Sequence, residues 1–333
     1  MNSSVVLPSP APTPGLEHAA TGIDPALAAL AARIGAAHLE QRLARERENE
    51  RRLQRVFDRF FYVDGPLSAH AMIRTSLRLV GLHGRARRNA RALVVRTHEV
   101  PLPGLPPAFD GHTILHISDP HLDLNPDIPA VLIECVRSLD YDLCVLTGDY
   151  RTQIYGPWEP TLEAMARVRP HLKGEIYAVL GNHDSIRMVP GLEALDMRVL
   201  LNEAVEIRRG NAALHLGGID DAHFYRLHDF PRLQRTIPPD APAILLSHTP
   251  EAYAEAEAAG FRLMLAGHTH GGQICLPGGI PVITDADCPR RYARGSWRYG
   301  RLIGYTSAGS GSSIVDVRLN CPPEVTLHRL HAV

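Results

Sequence analysis

Thr113-Ile114-Leu115-His116-Ile117-Ser118 runs directly into Asp119-Pro120-His121, an apolar, strand-like run that stops at a carboxylate, a proline and an imidazole. The pattern recurs four times. Leu143 to Thr147 leads into Gly148-Asp149, and Ile176 to Leu180 into Gly181-Asn182-His183-Asp184. Ala243 to Leu246 leads into Ser247-His248, and Leu263 to Ala266 into Gly267-His268-Thr269-His270-Gly271-Gly272. A short apolar run bounded by Gly or Pro reads as a buried strand followed by a sharp turn. Strands ending this way set oxygen and nitrogen donors along one edge of a sheet. One such end is commonplace, but five in series need a shared reason.

Working outward, Pro129 to Leu139, Pro160 to Leu172, Pro190 to Leu195 and Pro250 to Ala259 read as helices. Val205 to Ile207 and Ala213 to Gly217, joined at Arg209-Gly210-Asn211, read as a hairpin. Strands alternating with helices, plus a hairpin, give an α/β fold with some antiparallel pairing.

The donors suffice for a two-metal hydrolase site, in which a carboxylate bridges ions ~3.5–4 Å apart. Asp149 is the natural bridge. Asp119, His121 and His270 could complete one ion, and Asn182, His248 and His268 the other. A nitrogen and oxygen set without thiolate suits manganese first, with iron, zinc or nickel as alternatives. A hydroxide between two such ions is the expected nucleophile. His183 is expected to touch the substrate phosphate or leaving oxygen, with Asp184 orienting its ring. Isolated histidines in apolar stretches (His116, His171, His215, His328) read as hydrogen-bonded core residues. A polar turn would account for His268 and His270 alone, but not for the donors at the other four strand ends.

These five blocks, in this order, resemble the calcineurin-like metallophosphoesterases over about residues 92 to 333, Gly181 to Asp184 and Gly267 to Gly272 being the most specific. The flanks Val100 to Pro106 and Asn320 to Leu327 are similar to the bacterial branch containing cell-envelope phosphoesterases and one class of UDP-diacylglucosamine pyrophosphohydrolase of lipid A synthesis. The resemblance implies a four-layer αββα sandwich of two mixed sheets with the metals at the strand ends. Two departures bear on substrate preference: Thr152 stands where the family usually has Asp, and Pro120 where it usually has Leu.

The 333 residues exceed one ordinary core, so a large domain plus an appendage is expected. Residues 1–22 read as disordered, 23–91 as an Arg-rich helical arm and 92–333 as the catalytic domain. Asp24-Pro25 is an N-cap with Pro at the first helical position, opening one long helix to about Phe60. Asp64-Gly65-Pro66 breaks it, and a second helix follows from about Leu67 to Leu82. The net charge of −1 hides an imbalance: Arg33 to His98 holds 15 Arg against 6 acidic residues. With the aromatics Phe57, Phe60, Phe61 and Tyr62 close by, this arm reads as a peripheral contact with an anionic membrane surface; the other reading is a helical hairpin packed on the catalytic domain. No nucleic-acid partner is expected, because the aromatics sit together rather than interleaved with the arginines.

The five cysteines are sparse and lack C-x-x-C spacing, which suits a reducing compartment. There is no secretory signal pattern and no span of ~20 apolar residues. The expected location is therefore cytoplasmic, peripheral at the inner face of the membrane. Arg151, Asp220 and Asp221 are candidates to contact substrate; for Gly218 to His223 an ordinary acidic turn remains an equal alternative. Ser307 to Ser313 lacks the Lys of a phosphate loop and reads as a tight loop near the site. The expected activity is hydrolysis of a phosphoester or pyrophosphate, with UDP-2,3-diacylglucosamine the leading substrate by resemblance. A generic phosphodiesterase on soluble substrates and a non-catalytic scaffold are the alternatives.

Overall fold

All five apolar runs are strands buried on both faces. Side chains of a strand alternate between its faces. Ile114, Val145 and Val179 therefore enter one cluster with Leu214, Ile244, Leu246 and Leu263, while Leu115, Cys144, Leu146 and Ile176 enter another. The structure, a computed structural model, describes residues 24–60 and 69–333. The segments expected to be disordered (1–22) and to break the helix (64–66) lie outside the described residues, as do the aromatic side chains of 57–62.

Two six-stranded mixed sheets face each other across the first cluster. One runs, in spatial order, Val94–Leu102, Glu324–Ala332, Thr113–Ile117, Leu143–Thr147, Glu175–Val179 and Arg198–Val199. The other runs Gly295–Tyr299, Leu302–Thr306, Leu263–Ala266, Ala243–Leu246, Ala212–Gly218 and Glu203–Arg209. Helices cover both outer faces, giving the expected four layers: Met165 and Leu192 pack on the first sheet, Phe230, Leu233 and Ala256 on the second. Thr113–Ile117, Leu143–Thr147 and Glu175–Val179 are mutually parallel, as are Ala243–Leu246 and Leu263–Ala266. Their carboxyl ends open on the same region, where open α/β sheets bind ligands.

The N-terminal segment departs from expectation. Its start is as read, with Pro25 at the first position and Asp24 Oδ1 accepting from Ala26 N at 3.0 Å. The long helix is two helices, however, α1 (Pro25–Ile34) and α2 (Ala36–Phe60), because Gly35 takes φ 91°. Arg232 holds the break by donating to the carbonyls of Ile34 and Arg33. Leu30, Ile34 and Leu39 lie in the same buried cluster as Leu115 and Leu146, so this half of the arm is part of the outer helical layer.

Deeper along α2, Arg42 is fully buried. Its guanidinium pairs with Asp220 at 2.8 Å and Glu46 at 3.1 Å, donates to the Asp184 carbonyl at 2.9 Å and stacks 3.5 Å over Tyr225. Glu46 accepts from Ser185 Oγ and Ile186 N, both at 2.7 Å. The expected second helix is α3 (Ala69–Leu79), and the basic stretch after it forms α4 (His83–Asn89).

Of the histidines assigned to the core, His116, His215 and His328 are buried, and His116 bonds Thr147 Oγ1 at 2.8 Å. His171 is exposed on a short 3-10 turn, because Pro170 ends the preceding helix before His171 can turn inward. No helix among the described residues is long and apolar enough to cross a membrane.

Two outcomes follow. Arg42→Met leaves Asp220 buried without its counter-charge and is expected to cost about 3–5 kcal/mol of unfolding free energy by urea denaturation, partly recovered when Asp220→Asn is added. Stability also has a defined pH window. Burial holds the His116 imidazole at about 3, and burial with His116 and His98 nearby holds His328 well below its usual range. The unfolded chain protonates both below about pH 6.5, so it then binds more protons than the folded one. Their contribution to stability is therefore full above about pH 6.5 and is lost as pH drops toward 3. Urea midpoints at pH 5 and pH 7.5 check this; equal midpoints would contradict it.

Candidate metal centre

The five strand ends converge as the sequence requires. The ligating atoms of Asp119, His121 and His270 all lie within 4.8 Å of one another, and so do those of Asp149, His248 and His268. Nε2 of His121 is 3.1 Å from Nε2 of His270 and 3.8 Å from Asp149 Oδ2. Nε2 of His248 is 2.9 Å from Asn182 Oδ1 and 3.4 Å from Asp149 Oδ1. Asp149 thus faces both groups through its two oxygens.

Holding the donors this way strains the backbone. Asp119, His121, Asp149, His268 and His270 all have positive φ, between 42° and 71°. A non-glycine residue in this region costs on the order of 1–3 kcal/mol and persists only when its surroundings dictate it. Two glycines allow the crowding. A Cβ on Gly148 would strike the backbone of Gly181 and sit 2.9 Å from His248 Nδ1, and one on Gly267 would strike Ser118 Oγ and Asp119 Oδ2.

The donor chemistry fits cations. Nδ1 of His121 faces the Arg151 carbonyl at 2.8 Å and Nδ1 of His248 the Thr147 carbonyl at 2.7 Å. A carbonyl only accepts, so each Nδ1 carries a proton and Nε2 is the nitrogen turned toward the metal position. Nε2 of His268 donates to the Asp285 carbonyl at 2.7 Å, which leaves the lone pair of that ring on Nδ1. Burial pulls the His121 pKa down to about 4 and, with neighbouring imidazoles, those of His268 and His270 well below the usual range, so all three rings are neutral.

Burial, with Asp149 nearby, pushes the Asp119 pKa up to about 6. Burial opposes a charge on His248, but Asp149 and Asp119 outweigh it and raise its pKa to about 10. The carboxylates thus call for positive charge, which a divalent ion provides better than one proton, and binding would release that proton.

The expected pairing of His183 with Asp184 is not what forms. Nδ1 of His183 is held by the Thr152 carbonyl at 2.6 Å, and Nε2 lies 3.8 Å from Asp149 Oδ2. Asp184 bonds the main chain instead: its carboxylate accepts from the backbone N–H groups of Asp149 at 2.7 Å, Gly181 at 2.8 Å and Tyr150 at 2.9 Å. Three converging amides outcompete one imidazole for a buried carboxylate. Thr152, a departure from the family pattern, therefore acts on His183 through its main chain.

The three candidates for substrate contact are buried and bound within the protein. Arg151 donates to the carbonyls of His183, Gly156 and Ile154. Asp220 is taken by Arg42 and His38, and Asp221 caps the N–H groups of Phe224 and Tyr225. A substrate phosphate would have to break these bonds to use them.

Sequence reading missed several supports. Ser118 Oγ donates to Asp119 Oδ2 and accepts from Thr147 Oγ1, which in turn meets His116. This polar column inside strand runs had no spacing to betray it. Arg318, fully buried, donates to the carbonyls of Ala308 at 2.7 Å and Gly311 at 2.6 Å. It fixes the loop whose Ser310 and Gly311 amides bond the Ser118 and Asp119 carbonyls, so the Ser307–Ser313 run is a tight loop beside the site.

Known proteins agree with this geometry. Residues 112–272 match the calcineurin-like phosphoesterase family. An uncharacterized metallophosphoesterase of Bacillus subtilis, YkoQ, is 28% identical over 256 residues, covering 74% of this chain and 93% of that protein. The phosphodiesterase YaeI of Escherichia coli is 30% identical over 201 residues, or 57% of this chain and 70% of that one. A transmembrane protein with a metallophosphoesterase domain from Bos taurus is 29% identical over 279 residues, covering 77% of this chain and 60% of its own length. The chain belongs to the calcineurin-like phosphoesterase family, as a hydrolase whose buried carboxylates and imidazoles are clustered for divalent metal.

Proposed function

We propose that this phosphoesterase cleaves the phosphoester or pyrophosphate bond of a lipid-linked substrate, using a two-ion site in which Asp149 is shared. Asp119, His121 and His270 would hold one ion, and Asn182, His248 and His268 the other. Manganese is the first candidate for both. Divalent ions bound there supply Lewis acidity toward a phosphoryl oxygen and toward the attacking water. The chain's own part is orientation and proton transfer. The Thr152 carbonyl pins Nδ1 of His183, so Nε2 faces the cleft, where it can bind the phosphate and pass a proton to the leaving oxygen.

One observation carries the lipid reading. The cleft of about 390 Å³ that contains Asp149, Asn182, His183, His268 and His270 is also lined by Ile73, Ile274, Val282, Ile283, Ile314 and Val315. A nucleotide or sugar phosphate gains little from such a lining, whereas a hydrocarbon chain gains about 25 cal/mol per Å² of apolar area covered. The volume admits the phosphate and the first part of a chain, with the remainder outside. UDP-2,3-diacylglucosamine has this chemistry and is the leading candidate by family resemblance. A generic phosphodiesterase, the activity in the name of the Escherichia coli relative, is the alternative.

Chelator-stripped protein is expected to lose hydrolysis of a simple phosphodiester and regain it with Mn²⁺; full turnover in a metal-free preparation would sink the proposal. Asp149→Ala should lose metal and turnover together. His183→Ala should keep metal content by elemental analysis and lose roughly 10²–10⁴-fold in turnover. For the substrate, Ile283→Asp should reduce kcat/KM on an acylated pyrophosphate roughly tenfold or more, and less on a phosphodiester without a chain. Equal losses on both would favour the generic phosphodiesterase.

A further inference from the structure

We propose that α3 and α4 form a docking face for an anionic lipid bilayer, set beside the mouth of the catalytic cleft. The proposal deepens the lipid-substrate reading by naming the surface on which that substrate is met. Residues 69–91 contain six arginines and no acidic residue. Arg91 is paired with Asp316 and Asp127, but Arg74, Arg78, Arg85, Arg87 and Arg88 have no ion pair among the described residues. Arg74, Arg78 and Arg87 gather with His83 around a cavity of about 330 Å³. Asp316 also borders this cavity, yet its carboxylate is already taken by Arg91 and Asn125, both at 2.8 Å, so it leaves the cluster cationic. The His83 imidazole is held below its usual range, by lost solvent first and then by Arg78, Arg87 and Arg74, as expected of a ring among guanidinium groups.

The helix faces sort these charges from an apolar stripe. Ile73 and Leu77, four residues apart, point toward the protein: Leu77 packs with Ala86, Val315 and Val317, and Ile73 lines the catalytic cleft. Arg74 and Arg78 form a second stripe. Met72 and Leu79, seven apart, share a third face and are 58% and 83% exposed, with Val80 beside them at 65%. A short helix carrying an outward apolar stripe flanked by unpaired arginines is the pattern that lies in a membrane interface.

Position ties this face to the cleft. Ile314 and Val315 border both the arginine cavity and the catalytic cleft. Ile283, which also lines the cleft, is 71% exposed, and Leu276 and Ile280 are exposed on the two-stranded turn before it. Exposed apolar groups therefore lie in the cleft lining and on the turn next to it, while cations stand beside it. Charge complementarity points to anionic headgroups, and the exposed apolar side chains to the acyl layer beneath them. A lipid-linked phosphoester could then enter with its chain still partly in the bilayer.

The test is co-sedimentation of the full chain with vesicles of pure phosphatidylcholine and of an equimolar mixture with phosphatidylglycerol, at low and high salt. The wild type is expected to sediment with the anionic vesicles, weakly at high salt, and not with phosphatidylcholine. Arg74→Glu/Arg78→Glu/Arg87→Glu should weaken partitioning by roughly a hundredfold, and Leu79→Asp/Val80→Asp should weaken it at both salt concentrations. Unchanged thermal unfolding shows that the variants are folded, since these side chains are exposed. Wild-type protein that stays in the supernatant, or a charge-reversed variant that binds as well as wild type, overturns the proposal. Docking needs no metal, so chelator-stripped protein should bind equally. A chain that binds vesicles but hydrolyses nothing would sink the enzyme reading alone.

Discussion

The carboxylate of Asp184 is the constraint on which the site depends. It is buried at the meeting of two strand ends and accepts backbone hydrogen bonds from Gly181, Asp149 and Tyr150. Hydrogen bonds to a charged acceptor are about twice as strong as neutral ones, and three of them hold the turn after Leu143–Thr147 against the turn after Glu175–Val179. That clamp is what keeps Asp149 at φ 56°, aimed between the two imidazole groups. Burial and the nearby Asp149 push the Asp184 pKa up, while the amides oppose the shift. The carboxylate thus spends its hydrogen-bonding capacity on backbone, and His183 is left to the Thr152 carbonyl. A residue two places from a candidate ligand is therefore structural in its contacts and functional in its consequence.

Stability and site chemistry pull against each other here. Five strained backbones, two facing imidazoles 3.1 Å apart and two buried carboxylates around His248 would be costly in a fold selected for stability alone. The opposing contributions come from the dry sheet–sheet core and from polar props behind the ligands. Ser118 and Thr147 reach from His116 to Asp119, and Arg318 closes the loop behind His270. None of these props touches the cleft directly. They act by leaving each ligand only one orientation, which lowers the ordering cost of binding an ion.

The strand positions were legible in the sequence because both faces of these strands are buried, so each run is uniformly apolar and its polar end stands out. Thr113–Ile117, Leu143–Thr147 and Ala243–Leu246 begin and end within a residue of their reading. The donor set was legible for the same reason. Partners were not: a run of apolar letters does not say that Asp184 will meet amides rather than His183, or that Arg151, Asp220 and Asp221 will be consumed inside the fold. Those outcomes depend on contacts between residues 30 to 180 positions apart. The helix break at Gly35 was missed because the residues around it favour helix. The glycine's left-handed φ is stabilised by a tertiary partner, Arg232, nearly 200 positions away.

The N-terminal segment divides by what it buries rather than by its charge. In α1 and the first half of α2, Leu30, Ile34 and Leu39 complete the layer over the first sheet, while Arg42 holds the Asp184 carbonyl and Glu46 holds the Ser185 hydroxyl and the Ile186 amide. Arginine there is a structural cation with acidic partners inside the protein. In α3 and α4 the same residue type has no such partners among the described residues, and Met72, Leu79 and Val80 are exposed beside it. One composition thus gives two behaviours, because an arginine is neutralised by whatever lies within reach of its guanidinium. Where carboxylates of the fold lie within reach, the helix becomes part of the catalytic scaffold. Where none does, the charge is free to act on something outside the molecule, beside the cleft that the scaffold has shaped.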